Sequence, residues 1–504
     1  MSASRAVSEP LVLAIDQGTS STTCLLASSD GRVAARAHRE VRVRHPREGW
    51  VEQDASELWG SVVATCEEVL HGVLAPPVAI GLTNQRETLV VFDRRTLEPL
   101  APAIVWQCRR SAGICAEHRA RGEEPEIRRR TGLLLDPYFT ATKLEWLLRE
   151  DRSLAERAAR GEVCAGTVDT WLIARLTGGR VIATDPGNAS RTLLYDLARG
   201  GFDPDLCALF GIPIAILPEV HPSAGRIGMT DPAVFPGVSL PVSGVAGDQQ
   251  AALFGQACVE PGMSKNTYGT GSFLLVNTGD AVPDPGPGLL ATVAWRIDGR
   301  DTFALEGSIF VTGAGLTWLR DGLGLIDAAG EAGPLFDSVP DTRGCIFVPA
   351  LAGLGAPWWD PEARGALLGL TAGVTRAHVV RAVVEAMAFR TRDVVEAMER
   401  ASGQPLQELR VDGGASVMDS LCQFQADLLG VTVARAATAE ATGLGAAMLA
   451  AVGEGLVDGP DAAAAAWKPG RRFAPADPGR RPAAAYAAWL DAVDRVRTRP
   501  PVAP

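Results

Sequence analysis

Two segments of the same pattern, one near the start of each half of the chain, constrain the fold more than any other feature. Each has an extended run, a polar turn containing glycine and a second, apolar run: LVLAIDQGTSSTTCLLAS spans 11–28 and GMSKNTYGTGSFLLVNTG spans 262–279. Glycine permits a tight reversal of the chain, so each segment predicts a β-hairpin. The recurrence of one hairpin type in both halves indicates a duplicated domain.

The segments around the first hairpin alternate between strand and helix patterns. Short apolar runs predict strands at 78–82 and 88–93. Between 50 and 74, apolar residues recur at three- and four-residue spacing, which predicts a helix with Ser56 as its N-cap. This alternation is typical of α/β architecture. Because 504 residues exceed what one core usually supports, and a proline–glycine break follows Val259, we expect two domains, 1–258 and 259–504.

Charge and cysteine usage argue against several functional classes. The formal net charge is -11, whereas nucleic-acid-binding proteins normally carry a basic face, so we expect no nucleic-acid partner. No apolar run approaches the roughly 20 residues of a membrane-spanning helix, and the first residues lack an apolar signal segment. We therefore expect no stable membrane insertion and a cytoplasmic location. The nine cysteines are scattered without a CxxC pair, which argues against a zinc site or a disulfide framework.

The polar turns of the two hairpins have the composition of phosphate-binding turns. A glycine beside several hydroxyl groups brings successive backbone N–H groups to one point, where they can hold phosphate oxygens. The string VDGG at 411–414 predicts a third such turn, and Asp16, two residues before Gly18, could hold Mg²⁺ directly or through water. Taken singly, these are ordinary turn residues. Together they favour metal-assisted phosphoryl transfer or ATP hydrolysis between two domains.

Phosphoryl transfer to a hydroxyl group benefits from a base beside the acceptor. The candidate is Asp248 in the string GVAGDQQAALFG, which spans 244–255 and lies just before the expected domain boundary, where a cleft would form. An aspartate at a helix start is also a common N-cap, so the structural interpretation stays open at this point.

A series of strings in chain order, from roughly residue 11 to residue 452, resembles the FGGY carbohydrate kinases, and among them the members that phosphorylate glycerol. The strings are AIDQGTSS, GLTNQRET, AIVWQCRR, TGLLLDPYFTATKLEWLL, GTVDTWLI, NASRTLL, GVAGDQQAALFGQ, KNTYGTGSFLL, GLGAPWWDP and RVDGGAS. The resemblance implies an α/β fold of two actin-like (ribonuclease H-like) ATPase domains with an interdomain catalytic cleft. It also implies transfer of the γ-phosphoryl group of ATP, with Mg²⁺, to glycerol, giving sn-glycerol 3-phosphate. A homodimer or homotetramer is the expected assembly.

The resemblance assigns the acceptor side of the site residue by residue. Asp248 matches the base that takes the proton from the attacking hydroxyl, and it is also placed among the metal-binding groups. The other matches bind the three hydroxyls of glycerol or pack against its carbons: Arg86, Glu87, Trp106, Tyr138, Gln249 and Phe273. These residue types suit the task, because a small triol offers almost nothing but hydroxyls to recognise.

On the nucleotide side, the resemblance assigns Asp16 to the metal. The matching phosphate and nucleoside contacts are Thr19, Ser20, Ser21, Thr270, Gly313 and Gly414. Three positions depart from the usual pattern. Thr23 replaces an arginine, Thr317 a glutamine and Met418 an asparagine. Threonine supplies neither the charge nor the bidentate donors of arginine, so the departures predict weaker nucleotide binding or another phosphate donor.

Three other functions remain open on the sequence. Another polyol or sugar kinase of the same family would share the fold, although the NQRET and WQCRR strings argue against it. An actin-like or chaperone-like ATPase would have no use for Asp248 with an acceptor pocket. A catalytically weakened sensor that binds glycerol is suggested by the departures on the nucleotide side.

Overall fold

The computed structural model describes residues 10–73, 76–476 and 483–498; the start of the first predicted domain and the end of the second lie outside these ranges. The strands of the first half are β1 Leu11–Gln17, β2 Ser21–Ser28, β3 Val33–Glu40, β4 Glu52–Gln53, β5 Ala79–Asn84, β6 Val90–Asp93, β7 Ala103–Ile104, β8 Val163–Gly166, β9 Ala183–Thr184, β10 Tyr195–Asp196, β11 Gly201–Phe202, β12 Glu219–Val220, β13 Ala224–Met229 and β14 Pro241–Gly247. Its helices are α1 Ala55–Leu70, α2 Ala112–Ala120, α3 Glu124–Thr131, α4 Thr140–Glu150, α5 Arg152–Ala159, α6 Val168–Leu176, α7 Pro186–Ala189, α8 Pro204–Leu209 and α9 Asp248–Gly255.

The second half continues the same alternation of strands and helices. Its strands are β15 Ser264–Tyr268, β16 Ser272–Gly279, β17 Leu290–Ile297, β18 Arg300–Ile309, β19 Ile346–Val348, β20 Ala366–Leu368, β21 Glu408–Asp412, β22 Thr432–Ala436 and β23 Pro469–Phe473. Its helices are α10 Gly313–Thr317, α11 Ala332–Asp337, α12 Arg376–Ser402, α13 Asp419–Leu429, α14 Ala441–Gly453, α15 Gly459–Ala464 and α16 Ala483–Asp494. No described helix combines the length and apolar content needed to cross a membrane.

The two main sheets repeat one topology. The first has the strand order β13-β14-β5-β1-β2-β3, and the second β17-β18-β16-β15-β21-β22-β23. In each, the predicted hairpin (β1–β2 or β15–β16) is antiparallel and extended by a third antiparallel strand. On its other side, the first hairpin strand pairs in parallel with the strand that follows the crossover. A further parallel strand comes next. The hairpins and the duplication are therefore as expected from the sequence.

The burial of the first sheet follows from its position between helices. Every residue of β5 is buried, in line with the small and apolar residues at 79–82, whereas β3 at the edge is exposed or partly buried at every position except Ala37. The helix of the second half, α14, packs on β1, β5 and β14 of the first sheet. A Cβ on Gly81 of β5 would lie 2.1 Å from the carbonyl oxygen of Ala446. Glycine therefore allows α14 to approach the backbone of the sheet directly.

Helix ends in the structure agree only in part with the sequence pattern. Helix α12 begins after Thr375, its N-cap, and ends at Gly403, which adopts the left-handed conformation (φ 67°). The N-cap of α1 is Asp54 rather than Ser56: the Asp54 side chain accepts a hydrogen bond from the Ser56 backbone N–H at 2.9 Å. Both residue types cap helices well, so sequence preference alone did not separate them.

Candidate active site

The loop after β5 places a charged pair inside the molecule. Arg86 and Glu87 are 2% and 1% exposed. Glu87 has φ 59°, a left-handed conformation that non-glycine residues seldom adopt and that costs about 1 kcal/mol or more. Such strain persists only where surrounding contacts impose it, which is frequent at functional sites. The strained turn directs Arg86 toward α9 and β18 and Glu87 toward Arg191.

Two carboxylates and two arginines form a buried cluster at this loop. Arg86 Nη1 and Nη2 donate to the two oxygens of Glu306 at 2.5 and 3.1 Å. Arg191 donates through Nε to Glu87 at 2.6 Å and through Nη2 to Glu306 at 3.0 Å. All four side chains are nearly inaccessible to solvent. The charges balance, as burial requires, because an unpaired ion in the interior is costly.

Asp248 is the first residue of α9 and borders this cluster. Its Oδ1 lies 3.2 Å from Arg86 Nε and accepts a hydrogen bond from the Gln249 backbone N–H at 2.7 Å. The side chain is 30% exposed, in contrast to its neighbours. Burial raises the pKa of Asp248, while Arg86 and Lys265 oppose that shift. Gly247 is the N-cap of α9, so Asp248 does not have the simple capping role that the sequence left open.

Three aromatic rings form a cluster that extends to Arg86. Trp106 contacts Tyr138 and Phe273 edge to face, with ring centroids 5.6 and 6.3 Å apart. The Arg86 guanidinium lies 6.0 Å from the Phe273 ring. Trp106 Nε1 donates to Thr19 Oγ1 at 2.9 Å, which joins the aromatic cluster to the first polar turn. The structure therefore brings the predicted acceptor residues of both halves together.

Gln249 meets a buried lysine of the second half. Lys265 Nζ donates to Gln249 Oε1 and, at 3.0 Å, to Thr267 Oγ1. Burial lowers the pKa of Lys265 to about 8, against the opposing influence of Asp412 and Asp248. A second cation, besides Arg86, is thus close enough to influence the carboxylate of Asp248.

The three glycine-bearing turns have the expected shape. Gly18 N–H donates to Ser21 O at 2.8 Å, which closes the first turn and leaves Ser20 exposed. In the second half, Gly313 N–H donates to Gly269 O at 3.0 Å, so the turn that carries the exposed Thr270 is tied to the start of α10. Gly413 adopts φ 85° beside the Tyr268 carbonyl, and the exposed Gly414 follows. Thr270 and Gly313, two of the predicted nucleotide contacts, are therefore adjacent. Gly414, another of these contacts, lies next to β15, the strand that leads to Thr270.

The three departures have different surroundings. Thr23 lies opposite Asp16 in the β1–β2 pair, and its Oγ1 is 3.0 Å from His38 Nδ1. Thr317 is exposed at the end of α10. Met418 is 9% exposed and belongs to the core of the second half. Only Thr23 therefore sits beside a predicted metal-binding residue.

Asp16 and Asp248 together suit a cation. Burial raises the pKa of Asp16 to about 7, and repulsion from Asp248 and Glu440 adds to the shift. Two carboxylates that repel each other in a partly enclosed site are stabilised by a divalent cation, which prefers oxygen ligands. Within the described ranges no group of three or more His, Cys, Asp or Glu residues could hold a metal ion. A cation here would therefore need further oxygens from phosphate groups or water.

Sequence reasoning missed several polar residues that complete the site. Arg191 and Lys265 belong to the strings NASRTLL and KNTYGTGSFLL but were not singled out, and Glu306 was not considered. The signal for Glu306 was present, because a carboxylate interrupts the otherwise apolar run FALEGSIF at 303–310. A charge in such a run implies a buried partner.

The repeated sheets define a two-domain, actin-like ATPase fold, in which Arg86 beside Asp248 is connected through Phe273 and Trp106 to the first polar turn. A family model described as "FGGY family of carbohydrate kinases, N-terminal domain" matches residues 11–255, and the model of the corresponding C-terminal domain matches residues 264–454. The chain belongs to the FGGY family of carbohydrate kinases, which confirms the predicted family and fold. Members of this family use ATP and a divalent metal ion.

Similar proteins cover nearly the whole chain. A protein of Carboxydothermus hydrogenoformans named "Glycerol kinase" is 50% identical over 489 residues, 96% of this chain and 98% of its own length. "Glycerol kinase 2" of Thermotoga maritima is 49% identical over 487 residues, with 96% and 98% coverage. The crystal structure of Plasmodium falciparum glycerol kinase with ADP superposes with a TM-score of 0.91 at 32% identity, covering 98% of this chain and 99% of that one.

Proposed function

We propose that the protein is a glycerol kinase that transfers the γ-phosphoryl group of ATP to glycerol and forms sn-glycerol 3-phosphate. The observation that carries this proposal is the position of Asp248, a partly exposed carboxylate beside Arg86, whose guanidinium also faces the aromatic cluster. Curated relatives of about the same length at 50% and 49% identity carry this name. A chaperone-like ATPase would not require such an acceptor pocket.

The acceptor site is suited to a small triol. Arg86 supplies N–H donors and Glu87 and Tyr138 supply oxygen atoms, so each hydroxyl of glycerol can be paired with a complementary group. The faces of Trp106 and Phe273 confine the carbon chain. A longer polyol would leave hydroxyls without partners or displace an aromatic ring, which is how such a site discriminates between substrates.

Asp248 acts as the general base. The contacts described for its carboxylate engage Oδ1, so Oδ2 is available to accept the proton of the attacking hydroxyl. Burial raises the pKa of this carboxyl, and Arg86 and Lys265 oppose the shift by favouring its ionised form. Arg86 therefore contributes to both the orientation and the charge of the base.

The nucleotide lies between the polar turns of the two halves. Thr19, Ser20 and Ser21 bind phosphate oxygens from one side and Thr270 with Gly313 from the other, while Gly414 adjoins the nucleoside. Asp16 and Asp248 hold the divalent metal, which we take to be Mg²⁺; when bound it neutralises charge on the phosphate oxygens. The neutral Thr23 and Thr317 and the buried Met418 leave this side with fewer polar contacts than the acceptor side.

A substrate matrix tests the proposal. Purified protein is incubated with ATP or GTP and Mg²⁺ and with glycerol, erythritol, xylulose or gluconate, and the phosphorylated products are quantified. We expect kcat/KM to be highest for glycerol with ATP. A preference for xylulose or gluconate would favour another kinase of the family, and glycerol binding without turnover on any donor would favour a sensor.

Assembly and location are further parts of the proposal. We expect a homodimer or homotetramer, which light scattering coupled to size-exclusion chromatography measures directly. A cytoplasmic location fits a protein that consumes ATP and whose nine cysteines are all buried and free.

A further inference from the structure

Glu306 comes from the second half of the chain but makes its principal contacts with the first. It lies in the middle of β18, in register with Leu275 of β16 and Leu290 of β17. Its side chain is fully buried and binds Arg86 and Arg191, which are 220 and 115 residues away in sequence. A carboxylate in the central part of a buried strand is costly unless its partners are held in place.

The contacts of Glu306 determine which donors of Arg86 remain available. Nη1 donates to Glu306 and, at 3.2 Å, to Gln250 Oε1, and one hydrogen of Nη2 also goes to Glu306. These bonds leave Nε directed at Asp248 and one Nη2 hydrogen for an acceptor hydroxyl. Bidentate pairing also holds the guanidinium plane in one orientation, which a single hydrogen bond would not do.

Glu306 remains a charged partner at neutral pH. Burial by itself would raise the pKa of Glu306, but Arg191 and Arg86 outweigh burial and lower it to about 2. Ser308, two residues further along β18, donates its hydroxyl to Glu306 Oε1 at 3.0 Å and steadies the same oxygen that Arg191 binds. The cluster is thus held from the second half by two side chains of one strand.

We propose that Glu306 is a positioning residue through which the second half orients Arg86, so that the glycerol site is complete only when both halves are packed together. This inference rests on the proposed function. Glu306 touches neither the phosphate-binding turns nor the proposed metal-binding residues in the contacts described. Its loss therefore affects recognition of glycerol and not of the nucleotide.

The substitution Glu306→Gln tests the role, because glutamine keeps the shape but lacks the charge and one of the two acceptor oxygens. We expect the KM for glycerol to rise about tenfold or more, the equivalent of one charge-assisted hydrogen bond, with the KM for ATP unchanged. Restoring the charge one methylene shorter in Glu306→Asp should recover part of the loss. A glycerol KM equal to that of the wild type in Glu306→Gln would overturn the inference.

Two further variants separate positioning from stability. Asp393→Asn removes a buried carboxylate that binds Arg390 at 3.0 Å and Tyr486 at 2.8 Å, away from the site. It should lower Tm and leave both KM values unchanged. Ser308→Ala retains the carboxylate of Glu306 and should raise the glycerol KM about threefold, which tests the idea if Glu306→Gln does not fold. An unchanged glycerol KM in Ser308→Ala would then contradict it.

The wild-type protein is measured first in the same assay. Absence of glycerol phosphorylation by the wild type contradicts the proposed function. An active wild type with the same glycerol KM as Glu306→Gln contradicts only the role of Glu306, so the two failures are distinguishable.

Discussion

Asp248 and Thr23 illustrate how single positions distinguish the two sides of the site. Asp248 faces cations of both halves, Arg86 and Lys265, and its environment suits proton transfer. Thr23 is bonded to His38 at a position where the resemblance implies an arginine. The proposed acceptor side therefore has all the polar groups that the resemblance implies, whereas the proposed nucleotide side lacks the positive charge of one arginine. Two predictions concern these residues.

Replacing the base should remove catalysis with little change in the fold. Asp248→Asn retains the size of the side chain but cannot accept a proton, so kcat should fall on the order of 10² or more. Steady-state kinetics with a measurement of Tm checks this. Asp205→Asn, at an exposed aspartate in the first turn of α8, is the matched control and should leave kcat unchanged. Near-wild-type turnover in Asp248→Asn would exclude it as the base.

Restoring the arginine should strengthen nucleotide binding. Thr23 is the cross-strand partner of Asp16, so a guanidinium introduced there lies on the same face as the proposed metal and phosphate site. Thr23→Arg should lower the KM for ATP about tenfold and leave the KM for glycerol unchanged. Thr23→Lys, with the charge but no bidentate donors, should give a smaller effect. An unchanged ATP KM in both variants would show that the departure has no cost.

The contact between α14 and the first sheet joins the two halves of the chain, on either side of the predicted boundary at 258/259. The chain crosses from the second half to cover β1, β5 and β14 of the first. The apolar residues of α14 form a cluster with Val12, Ala14 and Leu25. The close approach at Gly81 makes this contact sensitive to volume.

Adding one methyl group at that contact should destabilise the protein. In Gly81→Ala the new Cβ would meet backbone atoms of Ala446 that cannot rotate away, so we expect a loss of about 1–3 kcal/mol in the free energy of unfolding. Denaturant titration measures it. Gly60→Ala, where nothing lies within 4 Å on the exposed side of α1, should instead stabilise by about 0.5–1 kcal/mol. Equal stabilities for the two variants would refute the packing argument.

Helices α2 and α4 are joined by a histidine whose charge depends on pH. His118 Nδ1 is 2.5 Å from Glu123 and Nε2 is 2.8 Å from Glu145, with Arg121 also at Nδ1. Burial alone would lower the pKa of His118, but the two carboxylates outweigh it and raise the pKa above 6.5. The protonated form is therefore favoured by folding.

The sign of the pH dependence follows from this shift. The stabilisation by His118 is fully present below pH 6.5, the unfolded value, and is lost as pH rises through the raised pKa of the folded state. The difference in Tm between the wild type and His118→Gln should thus be larger at pH 6 than at pH 9, because about one ionic hydrogen bond is lost at the higher pH. Scanning calorimetry at both values checks it, and a difference that grows with pH would contradict the assignment.

At the scale of the whole molecule, the two ligands should bind cooperatively. The acceptor site contains Glu306 and Phe273 of the second half, and the nucleotide site contains turns of both halves. A ligand that stabilises the packed arrangement of the halves lowers the cost of ordering for the other.

ADP should therefore tighten glycerol binding, by about fivefold or more, and glycerol should tighten ADP binding by the same factor. Calorimetric titration of each ligand with and without the other measures both factors. Identical affinities with and without the partner ligand would show that the halves act independently.

The sequence predicted the local features of the fold well. The hairpins β1–β2 and β15–β16 follow from apolar runs around glycine turns, and the ends of α12 follow from Thr375 and Gly403. Aspartate at the start of α9 was found for the same reason: its signal lies in neighbouring residues. The prediction of Ser56 as the N-cap of α1 was wrong, because Asp54 is of a residue type that favours that position as well.

What the sequence determined by itself was the repeated α/β pattern, the polar turns and the identity of the candidate base, since each depends on residues a few positions apart. Only the tertiary structure decided that α14 covers the first sheet and that Glu306 meets Arg86 across 220 residues. Contacts between distant segments depend on how whole sheets and helices pack, and no local period carries that information. A charged residue in an apolar run indicates that a buried partner is needed, but only the packing of the whole fold determines which residue that partner is.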